Sequence, residues 1–153
     1  MLSGDGALVR IRPWAGRLTR DQVLGLCAAA RAFGSGIIDL TSRANLQLRG
    51  VDPAGHDRLL DTLSSLRLLD PTPEAEARRN IVIAPEWRPG DAARRLYDRV
   101  AAVLAALPRL PAKTGVAIDT GPRPVLQAVS ADARFERAGA GGLILRADGA
   151  DLG

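Results

Sequence analysis

The hydrophobic period of the chain changes several times within residues 1–70, and the order of those changes restricts the fold more than any single motif does. Ala7 to Arg12 alternates, with Leu8, Arg10 and Arg12 on one side and Ala7, Val9 and Ile11 on the other, as a strand with one buried face requires. Pro13 and Gly16 end it. Thr19 followed three positions later by Gln22 is a capping-box pattern, after which Val23, Leu26, Cys27, Ala30 and Phe33 recur at helical spacing until Gly34 and Gly36. Gly25 is expected to weaken this helix slightly. Ile37 to Thr41 and Leu46 to Val51 are short strand-like runs divided by Ser42, Arg43, Ala44 and Asn45, the pattern of a hairpin. Asp52 then caps a helix with Pro53 at its first position and Leu59, Leu63 and Leu66 as its apolar stripe. Strand, helix, strand, strand, helix is most of a ferredoxin-like α+β unit.

Asp70 to Ala77, with Pro71 and Pro73 among acidic and small residues, reads as a linker, which predicts one domain over 1–70 and a second over 71–153. Asn80 to Ala84 is a short apolar strand, and Gly90 and Asp91 lead into a helix whose face runs Ala93, Leu96, Tyr97, Val100, Leu104 and Leu107. Val116 to Asp119, Val125 to Phe135 and Gly142 to Arg146 read as further strands. The fold class is therefore α+β, with no internal repeat.

Composition removes several functions. Cys27 is the only cysteine, so neither a disulfide within the chain nor a four-thiolate iron-sulfur or zinc site can be built from it alone, and its helical neighbours predict a small buried apolar residue. No apolar run approaches the roughly 18 residues that span a bilayer, and the N-terminus lacks a signal-peptide core, so no membrane association and a cytoplasmic location are expected. A net charge of +4 favours anionic partners, and 20 of the 21 cationic residues are arginine. Nucleic-acid binding is the lesser reading, because two Phe, one Tyr and two Trp leave little to stack on bases. His56, the only histidine, stands beside Asp57 and Arg58 in the first turns of a helix and reads as a solvent-facing residue. No serine has a histidine base nearby, and neither Gly4-Asp5-Gly6 nor Gly139 to Gly142 leads into the helix a phosphate or dinucleotide loop needs.

The segment Thr41 to Arg49 is the most informative for chemistry. If it is extended, Arg43, Asn45, Gln47 and Arg49 share one face while Ala44, Leu46 and Leu48 share the other. Arginine forks suit carboxylates, and the amides add donors, although a merely solvated sheet face fits the same pattern. Arg78, Arg79 and Asn80 directly precede one strand and Lys113 precedes another, so cations at the starts of strands could converge on a concave site or could be linker charges beside Glu74 and Glu76.

Several motifs, in order, resemble the nitrite and sulfite reductase family. Ser3-Gly4-Asp5-Gly6, Val9-Arg10-Ile11-Arg12-Pro13, Gly16-Arg17-Leu18 and the run from Ile38 to Gly50 are similar to its ferredoxin-like half-domain. Arg79-Asn80-Ile81 and Leu110-Pro111-Ala112-Lys113 resemble two signatures of its sirohaem-binding domain. Ser42 to Asn45, Lys113 to Gly121, Val129 to Asp132 and Leu145 to Gly149 look most like the precorrin-3B synthase branch of the aerobic cobalamin pathway. The likeness spans nearly the whole chain and only the first of the family's two pseudo-symmetric halves.

The resemblance implies a first-repeat tetrapyrrole-binding domain over 71–153 and gives the cations roles. Arg43, Arg79 and Lys113 would face a tetrapyrrole, with Asn45, Gln47, Arg49 and Asn80 as further binding residues for its carboxylates. It implies that the complete protein holds a 4Fe-4S cluster, with sirohaem or non-haem iron, none of it bound by this chain alone, and oxidises precorrin-3 with molecular oxygen. No proton donor or nucleophile is named, and the chain by itself is expected to be inactive. The reductases carry a second lysine two positions after the first, where this chain has Gly115, which favours the synthase over a sulfite or nitrite reductase. A non-enzymatic module for anions or nucleic acid is the remaining alternative. The partner expected is a missing C-terminal half, or a second copy through an exposed edge or apolar patch.

Overall fold

A computed structural model describes residues 2–3, 6–108, 110–111, 114–147 and 150–151, with the side chains of 2, 3, 150 and 151 left aside. The chain divides into two compact units, Met1–Asp70 and Pro71–Gly153. Among the described residues no helix is long and apolar enough to cross a membrane.

In the first unit, β1 (Leu2–Ser3), β2 (Gly6–Ile11), β3 (Ile38–Leu40) and β4 (Leu46–Val51) form a four-stranded sheet in the order β1-β2-β4-β3. Every neighbouring pair is antiparallel. The alternation read in residues 7–12 is realised: Ile11 is buried, Val9 packs against the core and Arg10 is exposed. Helices α1 (Arg20–Phe33) and α2 (His56–Ser65) supply the apolar layer. Ile11, Leu26, Ala29, Ala30, Leu46, Leu48, Val51, Leu59, Leu63 and Leu68 make one cluster, in which each fully buried leucine is worth about 1.5–3 kcal/mol.

The start of α1 follows the capping box: Thr19 Oγ1 accepts from Gln22 N at 3.2 Å, and Thr19 N donates to Gln22 Oε1 at 3.0 Å. Its buried face is rotated from the predicted stripe. Leu26, Ala29 and Ala30 are buried, whereas Val23 and Cys27 are exposed, so Cys27 is not the buried apolar residue expected. The cause is Gly25. A Cβ there would lie 2.6 Å from Leu66 Cδ2, so the glycine admits Leu66 against the helix and sets the side that faces inward.

In the second unit, β5 (Ile81–Ile83), β6 (Val116–Asp119), β7 (Ala133–Arg137), β8 (Leu143–Ala147) and β9 (Ala150–Asp151) form a sheet in that order. The pairs β5·β6 and β6·β7 are parallel, and β7·β8 and β8·β9 are antiparallel. Helix α4 (Ala92–Ala106), capped by Asp91 whose carboxylate accepts from Arg94 N, is the crossover from β5 to β6. Of the face expected for it, Tyr97 and Leu104 are buried, while Leu107 lies past the helix end and is 38% exposed.

Two predictions fail here for identifiable reasons. The linker expected over 70–77 contains a helix, α3 (Pro73–Arg78), because Thr72 caps it, Pro73 fits its first turn, and Glu74 and Glu76 suit its positive end. The long strand expected from Val125 to Phe135 is a loop as far as Asp132, followed by the shorter β7. Side chains hold that loop in place of a ladder. Asp119 Oδ2 accepts from Val125 N at 2.8 Å and Leu126 N at 2.7 Å, and Arg134 donates to the carbonyls of Val129 and Leu126, both at 2.7 Å.

Candidate functional site

The polar face of the first sheet is built by strand alternation. Leu46 and Leu48 of β4 point into the core, so Gln47 and Arg49 point to the opposite side. Gln47 is in register with Arg10 of β2 and with Asp39 of β3, which puts those three side chains in one row. Arg49 leans across to Asp39, with Nε 3.3 Å from Oδ2, a partly exposed ion pair of small net worth that holds the guanidinium over the face. Arg10 was not among the residues singled out as donors, although its place opposite Val9 and Ile11 in the alternating run already put it on this side.

Arg43 and Asn45 do not extend that row, because residues 41–45 turn instead of running straight. Ala44 N donates to Thr41 O at 3.1 Å, Thr41 N donates to Asn45 O at 2.9 Å, and Asn45 N reaches Thr41 Oγ1 at 3.2 Å. Ala44 sits at φ 54°, the left-handed conformation that lets the chain reverse. Arg43 and Asn45, both half-buried, therefore occupy the tip of the β3–β4 hairpin, while Gln47 and Arg49 occupy the sheet. The extended register expected for all four residues is corrected by this turn.

In the second unit the parallel strands β5, β6 and β7 start at a common end. There Asn80 Nδ2 donates to Thr114 O at 3.1 Å, and Gly115 N donates to Asp132 Oδ2 at 2.7 Å. Arg79 is buried at 7% exposure with Nη1 3.4 Å from Tyr97 Oη, so its guanidinium is packed beside α4. Arg78 is tied to α4 by a 2.9 Å hydrogen bond to Ala105 O. Lys113 lies outside the described residues. A cavity of about 630 Å³ opens at this end, walled by Glu74, Ala77 and Arg78 of α3 and by Leu110, Pro111 and Thr114 on the approach to β6.

Other residues considered for chemistry stay apart. His56 is half-exposed with its Nδ1 3.6 Å from Asp57 Oδ1, and among the described residues no group of three His, Cys, Asp or Glu could hold a metal ion. Glu136 accepts from Arg146 Nε at 2.9 Å and Arg134 Nε at 3.1 Å. Those two hydrogen bonds, that of Arg146 first, hold its carboxyl below the ordinary carboxylate value.

Residues 1–66 match the family described as Nitrite/Sulfite reductase ferredoxin-like half domain. The chain is also 35% identical, over 151 residues, to a protein named precorrin-3B synthase from Sinorhizobium sp. That alignment covers 89% of this chain and 30% of the relative, so the chain spans about a third of the length of the relative it matches.

Proposed function

We propose, from the match of residues 1–66 to the nitrite and sulfite reductase ferredoxin-like half-domain family and from the likeness to the precorrin-3B synthase relative, that the chain is the tetrapyrrole-binding part of an oxidoreductase of cobalamin biosynthesis. The observation that carries this reading is the polar face of the first sheet, where Arg10, Gln47 and Arg49 stand opposite the apolar core and Arg43 and Asn45 stand on the adjoining hairpin. A ring bearing several carboxylates is a ligand for which that concentration of forked donors gives both charge and orientation. In the second unit Lys113, Arg79 and Asn80 are proposed as further residues for tetrapyrrole carboxylates, on the resemblance of the sequence around them.

In the finer form of the proposal, the complete protein is a monooxygenase-type precorrin-3B synthase of the cytoplasm, acting on precorrin-3 with molecular oxygen and a reduced nicotinamide. A 4Fe-4S cluster does not fit these residues, since one cysteine cannot supply four thiolates, so its ligands would lie outside them. The contribution of this chain is position and electrostatics, and alone it is inactive. The sulfite or nitrite reductase reading is disfavoured by charge, since Gly115 stands where the reductases carry a second lysine. A Cβ on Gly115 would stand 3.0 Å from Asn80 Nδ2, so a side chain there would require the amide to give by a few tenths of an ångström.

Titration with uroporphyrin, an octacarboxylate tetrapyrrole, tests the proposal. Saturable binding is expected, weakened roughly tenfold or more by Arg43→Ala and by Lys113→Ala, in line with the loss of a charged hydrogen bond. Absence of saturable binding, or indifference to both substitutions, would remove the reading. A steep salt dependence for generic DNA without binding of the tetrapyrrole would put a nucleic-acid module in its place.

A further inference from the structure

We propose that Trp14 is a further ligand contact of the first unit, an indole that lies against the flat ring of a tetrapyrrole whose carboxylates the neighbouring arginines hold. The inference rests on the reading of the polar sheet face as a tetrapyrrole site, and it adds to that reading a surface for the ring itself.

The donors of that face answer only the rim of such a ligand. Arg10, Gln47 and Arg49 suit carboxylates, whereas the macrocycle between the carboxylates is planar and π-rich and gains most from contact with another planar ring. Among the described residues Trp14 is the one exposed aromatic side chain, at 41%. Trp87 and Tyr97 are buried, and Phe33 and Phe135 are half-buried.

The place of Trp14 follows from the strand before it. Ile11 is in register with Leu46 in the antiparallel pair β2·β4, so the chain after Ile11 and the turn before Leu46 leave the sheet at the same end. Trp14 follows Ile11 by three residues and Asn45 directly precedes Leu46, each step covering about 3.8 Å between Cα atoms. Trp14 and the hairpin tip that carries Arg43 and Asn45 therefore share one end of the polar face. Burial gives the side. Ile11, Pro13 and Ala15 are buried, Arg12 is half-buried and Trp14 is exposed, so the alternation of β2 continues past its last residue and puts Trp14 on the side of Arg10.

A single exposed indole is ordinary on a protein surface, but this one is held by a strained turn. Ala15 lies at φ 49° and ψ 33°, is only 1% exposed, and is followed by Gly16 at φ 67°. Two successive left-handed residues, the first with a Cβ, persist only where the surrounding contacts fix them. Gly16 N donates to Pro13 O and Arg17 N to Trp14 O, both at 3.2 Å, and so close the turn. Pro13 and Ala15 anchor it in the protein, and the large apolar side chain between them is left at the surface beside the donors.

Uroporphyrin titrated into the wild-type chain, Trp14→Ala, Trp14→Phe and Arg43→Ala tests the contact, with affinity and the position of the bound Soret band read together. Stacking requires that Trp14→Ala weaken binding by about tenfold, the loss typical of a stacked aromatic replaced by alanine. Trp14→Phe keeps a flat ring and should bind within about threefold of wild type. The bound Soret band should differ between wild type and Trp14→Ala at saturating ligand, a readout that a merely structural role would not move. If Trp14→Ala does not fold, Trp14→Leu takes its place as the variant with apolar bulk and no ring, and carries the same expectations. A Soret band that is the same with and without the indole, or a Trp14→Phe chain that binds as weakly as Trp14→Ala, would overturn the inference. Binding weakened by Arg43→Ala yet indifferent to Trp14→Ala would also overturn it and leave the tetrapyrrole reading standing. Absence of wild-type binding would overturn both.

Discussion

The two units solve the problem of burial differently. The first joins neighbouring strands by antiparallel pairing and closes a continuous cluster of ten buried residues that includes Leu48, Val51, Leu59 and Leu63 at no exposure. The second runs two parallel pairs and needs a helix and a long loop as crossovers, around buried residues that include Ala117 and Ile118 at no exposure. Along the long crossover loop, side-chain hydrogen bonds take the place of a ladder, as those of Asp119, Asp132 and Arg134 do. The comparison teaches that strands joined by antiparallel pairing need few polar ties, whereas a parallel crossover made by a loop needs side chains to hold it.

Truncation of a buried and of an exposed leucine gives the widest expected spread. Leu48→Ala in the first unit should lower stability by about 2–5 kcal/mol, since a fully enclosed leucine leaves a cavity that the surrounding sheet and helices fill only in part. Leu143→Ala in the second, at a residue 52% exposed, should change it by no more than about 0.5 kcal/mol. Urea unfolding followed by circular dichroism gives both values. Similar costs for the two substitutions would break the contrast.

The same contrast governs how much could be read in advance. The elements of the first unit were legible because their signals are local: alternation in β2, the Thr19–Gln22 capping box, and Asp52 with Pro53 before α2. What escaped was tertiary. The inward side of α1 depends on Leu66 seeking the space left by Gly25, and the turn at Ala44 depends on Thr41 and Asn45 closing on each other. In the second unit Val125 and Leu126 have strand-like side chains, but their amides are captured by Asp119, a competition that no residue pattern displays. The common face of Gln47 and Arg49 followed from period alone, whereas the burial of Arg79 beside Tyr97 and the hydrogen bond from Gly115 N to Asp132 needed the fold.

A smaller effect concerns the edge of the first sheet. β3 ends the strand order, and its Leu40 is 83% exposed beside Ile37 at 54%, where a further half-domain or a second copy is proposed to pair. Leu40→Arg should leave stability within about 0.5 kcal/mol of wild type, as an exposed position allows. It should also abolish concentration-dependent self-association in sedimentation velocity. A wild-type chain that stays monomeric at high concentration would count against this edge as a docking surface, and association unchanged by the substitution would place the contact elsewhere.

The smallest expected effect is electrostatic and belongs to the second unit. Glu136 is held below its ordinary value of 4.5 by hydrogen bonds from Arg146 and Arg134, and unfolding releases it to that ordinary value. Between the lowered folded value and 4.5 the unfolded chain therefore binds more protons, so this group's contribution to stability is complete above the window and is lost as pH falls through it. Because the three side chains are partly open to water, the contribution should be no more than about 1 kcal/mol. Glu136→Gln should accordingly flatten the acid limb of the stability profile while changing little below the window, where the wild-type carboxyl is already protonated. Trp87, buried in this unit, offers a fluorescence signal for the measurement in a Trp14→Phe background. An acid limb identical in Glu136→Gln and its parent would mean that the loop carbonyls of Leu126 and Val129 are enough to hold Arg134, and that the polar ties of the second unit do not depend on this charge.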